Sequence, residues 1–227
     1  MKKQKIKFDL LTIFPECLDG YFNSSILGRA QKNKLIEIKT HDIRKQANNK
    51  HNTVDEPPYG GGPGMVLQIE PVYKTLKKIY KIKNKSTQVI LLSPRGETLT
   101  QNKVKGLSKY KRLILIAGHY EAIDARIDNF VDQKISLGNF IMTGGELAAA
   151  AVIDSVARLV PGVLGKAESL EDESFSEYNQ KTKEFNIEYP QYTRPEVFKG
   201  LKVPEVLLSG NHQKIKAWRK QKSANRP

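Results

Sequence analysis

Cysteine is nearly absent from this chain. The single thiol, Cys17, excludes an internal disulfide and any metal site built from clustered cysteines. Long apolar runs are missing as well, since no stretch of the 227 residues approaches the roughly 20 hydrophobic positions needed to cross a bilayer. The opening MKKQKIKFDLLTIFPE breaks at Pro15 without a small-residue cleavage site, so no secretory leader and a cytoplasmic location are expected. Two phosphate-binding signatures are lacking: no Gly-Lys-Ser/Thr ends a glycine loop, and no G-x-G-x-x-G occurs, which excludes a P-loop triphosphatase. Acidic residues are in short supply, 24 against 38 Lys and Arg, for a formal net charge of +14. That imbalance favours a polyanionic partner, nucleic acid ahead of an anionic membrane face.

What is present reads as an α/β chain. Residues 5–14 form an apolar strand interrupted by Asp9 and ended by Pro15, residues 26–35 a short helix, and residues 36–40 a strand alternating apolar and charged positions. A polar stretch, residues 42–58, then leads into Tyr59-Gly60-Gly61-Gly62-Pro63-Gly64-Met65, either a tight turn or a flexible loop for a bulky ligand. Residues 70–83 carry Val72, Leu76, Ile79 and Tyr80 at helical spacing with lysines between, the pattern of an amphipathic surface helix. Three segments repeat one design, a short apolar strand running into a glycine-bearing turn: residues 89–92 into Ser93-Pro94-Arg95-Gly96, residues 113–117 into Gly118-His119-Tyr120-Glu121, and residues 135–137 into Gly138. Such strands, separated by helical stretches, predict a parallel sheet covered on both faces, with the turns meeting beyond its carboxyl edge. Thr143 and Glu146 have the spacing of a capping box, and the apolar run 147–159 predicts a helix starting there. Gly144 and Gly145 at its entrance let a flat ligand approach main-chain groups.

Residues 166–191 are polar and mixed in charge, which predicts a mobile linker. Glu171, Asp172 and Glu173 beside Phe175 could nonetheless supply a base. Residues 192–227 read as a small basic helical domain, with Ile215 and Trp218 on a final helix and cations suited to phosphate contacts.

A series of ordered blocks resembles the bacterial tRNA (guanine-N1)-methyltransferase family, with its trefoil-knotted, SPOUT-type fold. They include Phe14-Pro15, Thr53-Val54-Asp55, the glycine loop 58–65, Leu92-Ser93-Pro94-x-Gly96, Gly118-His119-Tyr120-Glu121-x-Ile123-Asp124-x-Arg126, Ser136-x-Gly138, Gly144-Gly145-Glu146-Leu147, Ile153-Asp154-Ser155-Val156, residues 161–165, Tyr192-Thr193-Arg194-Pro195 and residues 203–212. The resemblance runs nearly end to end. It implies a knotted methyltransferase domain over residues 1–165. It further implies methyl transfer from S-adenosyl-L-methionine to N1 of the guanosine immediately 3′ of the tRNA anticodon, in support of reading-frame maintenance. A homodimer with active sites at the subunit interface is implied too, and Mg2+ is left open as a second requirement, although no metal-ligand cluster is visible in the sequence.

The implied cofactor-binding residues are Leu92, Ser93, Pro94, Gly96, Gly118, Tyr120, Glu121, Ser136, Leu137, Gly138, Asn139, Phe140, Ile141, Met142, Gly144 and Gly145. Asp55, Tyr59, Gly60 and Gly61 would lie near the target base, with Arg194, His212, Lys216 and Arg219 on the tRNA backbone. The proton on guanine N1 demands a base, and charge gathering on O6 demands a positive group. By resemblance these are Glu173, with Asp172 as the alternative, and Arg158. The chain departs from the family pattern at three of these points: glutamate for aspartate at 173, Ala122 where glycine is usual, and Asn139 where aspartate is usual. Two further classes compete, a ribose 2′-O-methyltransferase of the same knotted type and a noncatalytic RNA-binding protein. Tyr59 to Met65 and Thr193-Arg194-Pro195 speak against the first, and only Glu173 supports the second.

Overall fold

The computed structural model describes residues 5–164, 174–175, 178–179 and 184–226. It divides into two compact units, Met1–Gly165 and Lys166–Pro227. Asp172 and Glu173, the expected base and its alternative, lie outside the described residues.

The first unit is built on eight strands: β1 (Ile6–Thr12), β2 (Ile36–Asp42), β3 (Asp55–Glu56), β4 (Val66–Leu67), β5 (Thr87–Thr98), β6 (Arg112–Ala117), β7 (Ala122–Ile123) and β8 (Gln133–Ser136). Five of them form one sheet in the order β2-β1-β6-β5-β8, every neighbouring pair parallel. The pleat explains why these strands read as unbroken apolar runs. Phe8, Leu10, Ile90, Leu92, Leu113 and Leu115 point into one core and Leu11, Val89, Leu91, Ile114 and Ile116 into the other. Burying each such side chain stabilises the fold by about 1.5–3 kcal/mol relative to exposure.

Helices cover both faces, as the sequence predicts. On one side lie α1 (Asp19–Phe22), α2 (Ser25–Lys32), α4 (Gln101–Leu107) and α5 (Glu146–Ala157); on the other lie α3 (Ile69–Ile79) and the 3-10 turns Ile43–Gln46 and Ala125–Phe130. Ala148, Ala149 and Ala150 are buried on α5, and side chains that small let the helix axis approach the sheet closely.

Three expectations are corrected. The helix expected over residues 70–83 stops at Ile79, because Tyr80 leaves helical geometry with φ −140. Ser93 to Gly96 are not a free turn at the end of a strand: β5 continues through them as a bulge, so that Leu92 and Glu97 both pair with Ile135 of β8. A Cβ at Gly96 would overlap the Lys134–Ile135 backbone, so glycine is what lets the two strands close again. The capping box fails as well. The residue before α5 is Gly145, without a side-chain cap, and Glu146 turns inward to accept a hydrogen bond from Thr12.

In the second unit, β9 (Tyr178–Asn179), β10 (Glu184–Ile187) and β13 (Ala224–Arg226) form a sheet in the order β13-β10-β9. β11 (Val197–Phe198) and β12 (Leu201–Lys202) form a hairpin, followed by α6 (Glu205–Leu208) and α7 (His212–Lys222). Strands β9 and β10 thus occupy part of the stretch that reads as linker. Asn211 caps α7 by accepting from the Lys214 amide, and Ile215 and Trp218 are its half-buried positions.

Candidate active site

The carboxyl ends of β1, β6 and β8 and the amino end of α5 gather one set of bends. The Gly145 amide donates to the Gly118 carbonyl at 2.8 Å, and His119 and Gly144 form an antiparallel bridge, so the turn after β6 is stitched to the turn before α5. This contact needs both glycines. A Cβ on Gly144 would overlap Glu146 Oε2 and His119 Nδ1, and one on Gly145 would sit 3.0 Å from the Ala117 Cα. Tyr120 takes φ +58, which turns its ring out to 44% exposure. After β8, the Ser136 hydroxyl accepts from the Gly138 amide at 3.2 Å and donates to the Gly138 carbonyl at 3.1 Å. Gly138 itself adopts φ +150, and the chain then presents Phe140 and Ile141 at 55% and 84% exposure.

Beneath these bends lies a small polar cluster. Thr12 Oγ1 donates to Glu146 Oε1 at 2.7 Å and accepts from the Phe14 amide at 3.0 Å. The second carboxylate oxygen of Glu146 stands 3.6 Å from His119 Nδ1, a buried nitrogen with no hydrogen-bond partner among the described residues. The His119 ring is held edge-on between Phe14 at 4.9 Å and Tyr120 at 5.0 Å. A buried polar atom left unmatched is uncommon in a packed interior.

The glycine loop joins this site from the side. The Glu121 amide donates to the Met65 carbonyl at 3.1 Å, and β4 pairs in parallel with β7, so Gly64 packs directly over the Glu121 side chain. Gly60 and Gly61 take positive φ, and Tyr59 is fully exposed. Asp55 sits on β3, opposite Leu67.

The structure therefore brings together Gly118, Tyr120, Glu121, Gly144 and Gly145, with the glycine loop beside them. Leu92 is buried in the core and paired with Ala117 on one side and Ile135 on the other; Ser93, Pro94 and Gly96 form the β5 bulge; and Ser136, Leu137, Gly138, Asn139, Phe140, Ile141 and Met142 make the exit from β8. Arg158 is the half-buried C-cap of α5, at the opposite end of that helix from Gly145. Arg194, His212, Lys216 and Arg219 belong to the second unit, all exposed, with the Arg219 guanidinium 4.7 Å from the centre of the Tyr189 ring. Thr12, Phe14 and His119 are neighbours that the sequence does not single out as site residues. The only signal for His119 is its place inside Gly118-His119-Tyr120-Glu121.

Comparison with known proteins decides the family. The profile described as tRNA (Guanine-1)-methyltransferase TrmD matches residues 6–227. The chain belongs to the tRNA (guanine-N1)-methyltransferase family. The family member from Clostridium novyi is 52% identical over 218 residues, covering 96% of this chain and 86% of that protein. A Clostridium botulinum Alaska E43 member is 50% identical over 220 residues, 97% of this chain and 88% of its own. The crystal structure of the tRNA (m1G37) methyltransferase from Aquifex aeolicus superposes with a TM-score of 0.77 at 40% identity, covering 94% of this chain and 87% of that one.

A methyltransferase of this family uses S-adenosylmethionine. The residues present suit it, because the bends offer main-chain groups on glycines, the apolar side chains of Leu137, Phe140, Ile141 and Met142, and the unmatched His119 nitrogen. No group of three His, Cys, Asp or Glu side chains that could hold a metal gathers among the described residues.

Proposed function

We propose that this tRNA (guanine-N1)-methyltransferase acts on the guanosine immediately 3′ of the anticodon, as a homodimer whose chains each complete the other's site. The observation that carries the reading is the stitching of Gly118 and His119 to Gly144 and Gly145 at the sheet's carboxyl edge, in a chain matched to the family over residues 6–227. S-adenosylmethionine would supply an electrophilic methyl on its sulfonium. The bends at residues 92–96, 118–121 and 136–145 would hold it, and a trefoil knot through these loops is the topology expected. The protein's own groups then handle the guanine. With the methyl supplied by that cofactor to N1, the Glu173 carboxylate would take the N1 proton and Arg158 would stabilise the charge on O6.

The position of Arg158 supports the dimer. α5 holds 12 residues between Gly145 and Arg158, and at about 1.5 Å per residue step that separates the two by about 20 Å. An arginine that far from its own cofactor bends is better placed to serve a site on a second chain. Tyr59, Gly60, Gly61 and Asp55 would receive the unstacked base, while Arg194, His212, Lys216 and Arg219 hold backbone phosphates. The proposed steps do not involve Mg2+.

The test is transfer of labelled methyl from S-adenosylmethionine to an unmodified tRNA transcript with G next to the anticodon, followed by mapping of the methyl. Wild type should label N1 of that guanosine, and Glu173→Gln should lose on the order of 100-fold or more in kcat, the scale of a general base. Full activity in Glu173→Gln with loss in Asp172→Asn would move the base to Asp172. Binding of cofactor and tRNA without methylation would leave a binding protein.

A further inference from the structure

The exposed face of α3 carries charge of one sign that the cofactor site does not use. Pro71, Val72, Thr75 and Leu76 are buried, whereas Lys74, Lys77 and Lys78, spaced i, i+3, i+4, are exposed on the opposite side. Lys81 and Lys85 continue the exposed series just past the helix. Ordinary surface helices intersperse both signs. Here the only carboxylate in α3 is Glu70, and it is already paired with Lys74 and with the Asn48 amide. Among the described residues, no carboxylate lies within ion-pair distance of Lys77, Lys78, Lys81 or Lys85.

A further feature points to the partner. Tyr73 packs on the exposed ring of Phe130 at 4.6 Å, with Lys77 Nζ 5.6 Å from the Tyr73 ring, so an aromatic platform and a cation lie side by side. Aromatic rings interleaved with cations suit a single-stranded segment, with bases on rings and phosphates on ammonium groups. The lysine end of the face lies toward the amino edge of the sheet, where Arg112, the first residue of β6, donates to the Ile79 carbonyl and Lys83 pairs with Asp132 just before β8. An anionic membrane is the poorer match, because the apolar side of α3 is occupied by the core and is not free to insert.

We propose that the α3 face, through Lys77, Lys78, Lys81 and the Tyr73–Phe130 pair, is a second RNA-binding surface that holds tRNA backbone at a distance from the methylated nucleotide. This rests on the tRNA reading above. It assigns to the first unit phosphate contacts separate from those of Arg194, Lys216 and Arg219.

The test compares full-length protein with the triple variant Lys77→Gln, Lys78→Gln, Lys81→Gln. A control triple, Lys32→Gln, Lys34→Gln, Lys109→Gln, removes the same charge from exposed positions associated with the other core. Binding of an unmodified tRNA transcript is measured against salt, alongside binding of S-adenosylmethionine. The α3 triple should bind tRNA on the order of ten-fold more weakly at low salt, with a log–log salt slope shallower by about 2. Its cofactor affinity should be unchanged, and the control should stay close to wild type. Phe130→Ala should weaken tRNA binding with no change in salt slope.

Unchanged tRNA affinity in the α3 triple overturns the proposal, and so does equal weakening in the control, which would reduce the effect to net charge. Lysine-dependent binding to phosphatidylserine vesicles with tRNA binding intact would assign the face to a membrane instead. A wild-type protein that does not bind tRNA at all would sink the functional reading itself, an outcome distinct from a wild type that binds and a triple that binds equally well.

Discussion

Two buried carboxylates in the first unit have opposite surroundings. Asp9, 1% exposed, accepts from His41 Nε2 at 2.6 Å and from Arg112 Nε at 2.7 Å, and Arg112 also donates to the Ile79 carbonyl at 3.0 Å. Glu146, 7% exposed, has one neutral hydroxyl at hydrogen-bond distance and an unmatched imidazole nitrogen 3.6 Å away. The first carboxylate is saturated with partners and lies under the sheet, locking β1 to its neighbours. Beside the second, where glycine bends meet, the His119 nitrogen is left without a hydrogen-bond partner. A buried carboxylate saturated with partners serves the fold, whereas an unmatched buried nitrogen stands where a ligand is expected to complete the shell.

That contrast breaks most sharply at Asp9. Asp9→Ala leaves the half-buried Arg112 and His41 without their acceptor, and should destabilise the protein by about 3 kcal/mol while cofactor affinity in the folded fraction stays unchanged. Denaturant unfolding and equilibrium binding of S-adenosylmethionine check both halves. A loss of cofactor binding without loss of stability would reverse the assignment. Gly144→Ala should do the opposite. The added methyl overlaps both Glu146 Oε2 and His119 Nδ1, so the stitched turns must part, and cofactor affinity should fall on the order of ten-fold, about 1.4 kcal/mol, with a smaller change in unfolding free energy.

The same contrast shows what a sequence discloses. The five-stranded parallel sheet with two covered faces was legible because β1, β5 and β6 each carry their own apolar signal, strand by strand. The Thr143–Glu146 capping box was misleading for a non-local reason: Glu146 is taken by Thr12, 134 residues away, and a partner that distant leaves no mark in local spacing. Ser93-Pro94-Arg95-Gly96 has turn chemistry, yet it lies inside β5 because β8 pairs on both sides of it. The glycine blocks of the site were visible one by one. Their stitching, and with it the place of His119, depends on which turns the topology brings together. The partners of Asp9 were hidden likewise, since His41 and Arg112 stand on other strands. The proposed base, Glu173, lies outside the described residues, so its role rests on resemblance.

The smallest expected effect separates Asp9 from a surface carboxylate that looks similar on paper. Burial acts to raise the Asp9 pKa, but the hydrogen bonds from His41 and Arg112 outweigh it and hold the carboxyl below its ordinary value. Glu37 is pulled down to about 2 by hydrogen bonds from Lys5 and Lys39, yet it lies near the surface. Both folded values are depressed, so both contributions are present above the unfolded pKa and are lost as pH falls through the folded one. Salt distinguishes them. The Glu37 cluster is screened by added electrolyte, whereas Asp9 is shielded by the sheet and screened much less. Melting temperature followed from about pH 5 down to about pH 2 should therefore fall more steeply in wild type than in Asp9→Asn. That difference should persist at high salt, while the corresponding difference between wild type and Glu37→Gln should shrink. If added salt abolished the Asp9 difference as well, the carboxylate would be behaving as a solvated surface charge, and the contrast with Glu146 would lose its basis.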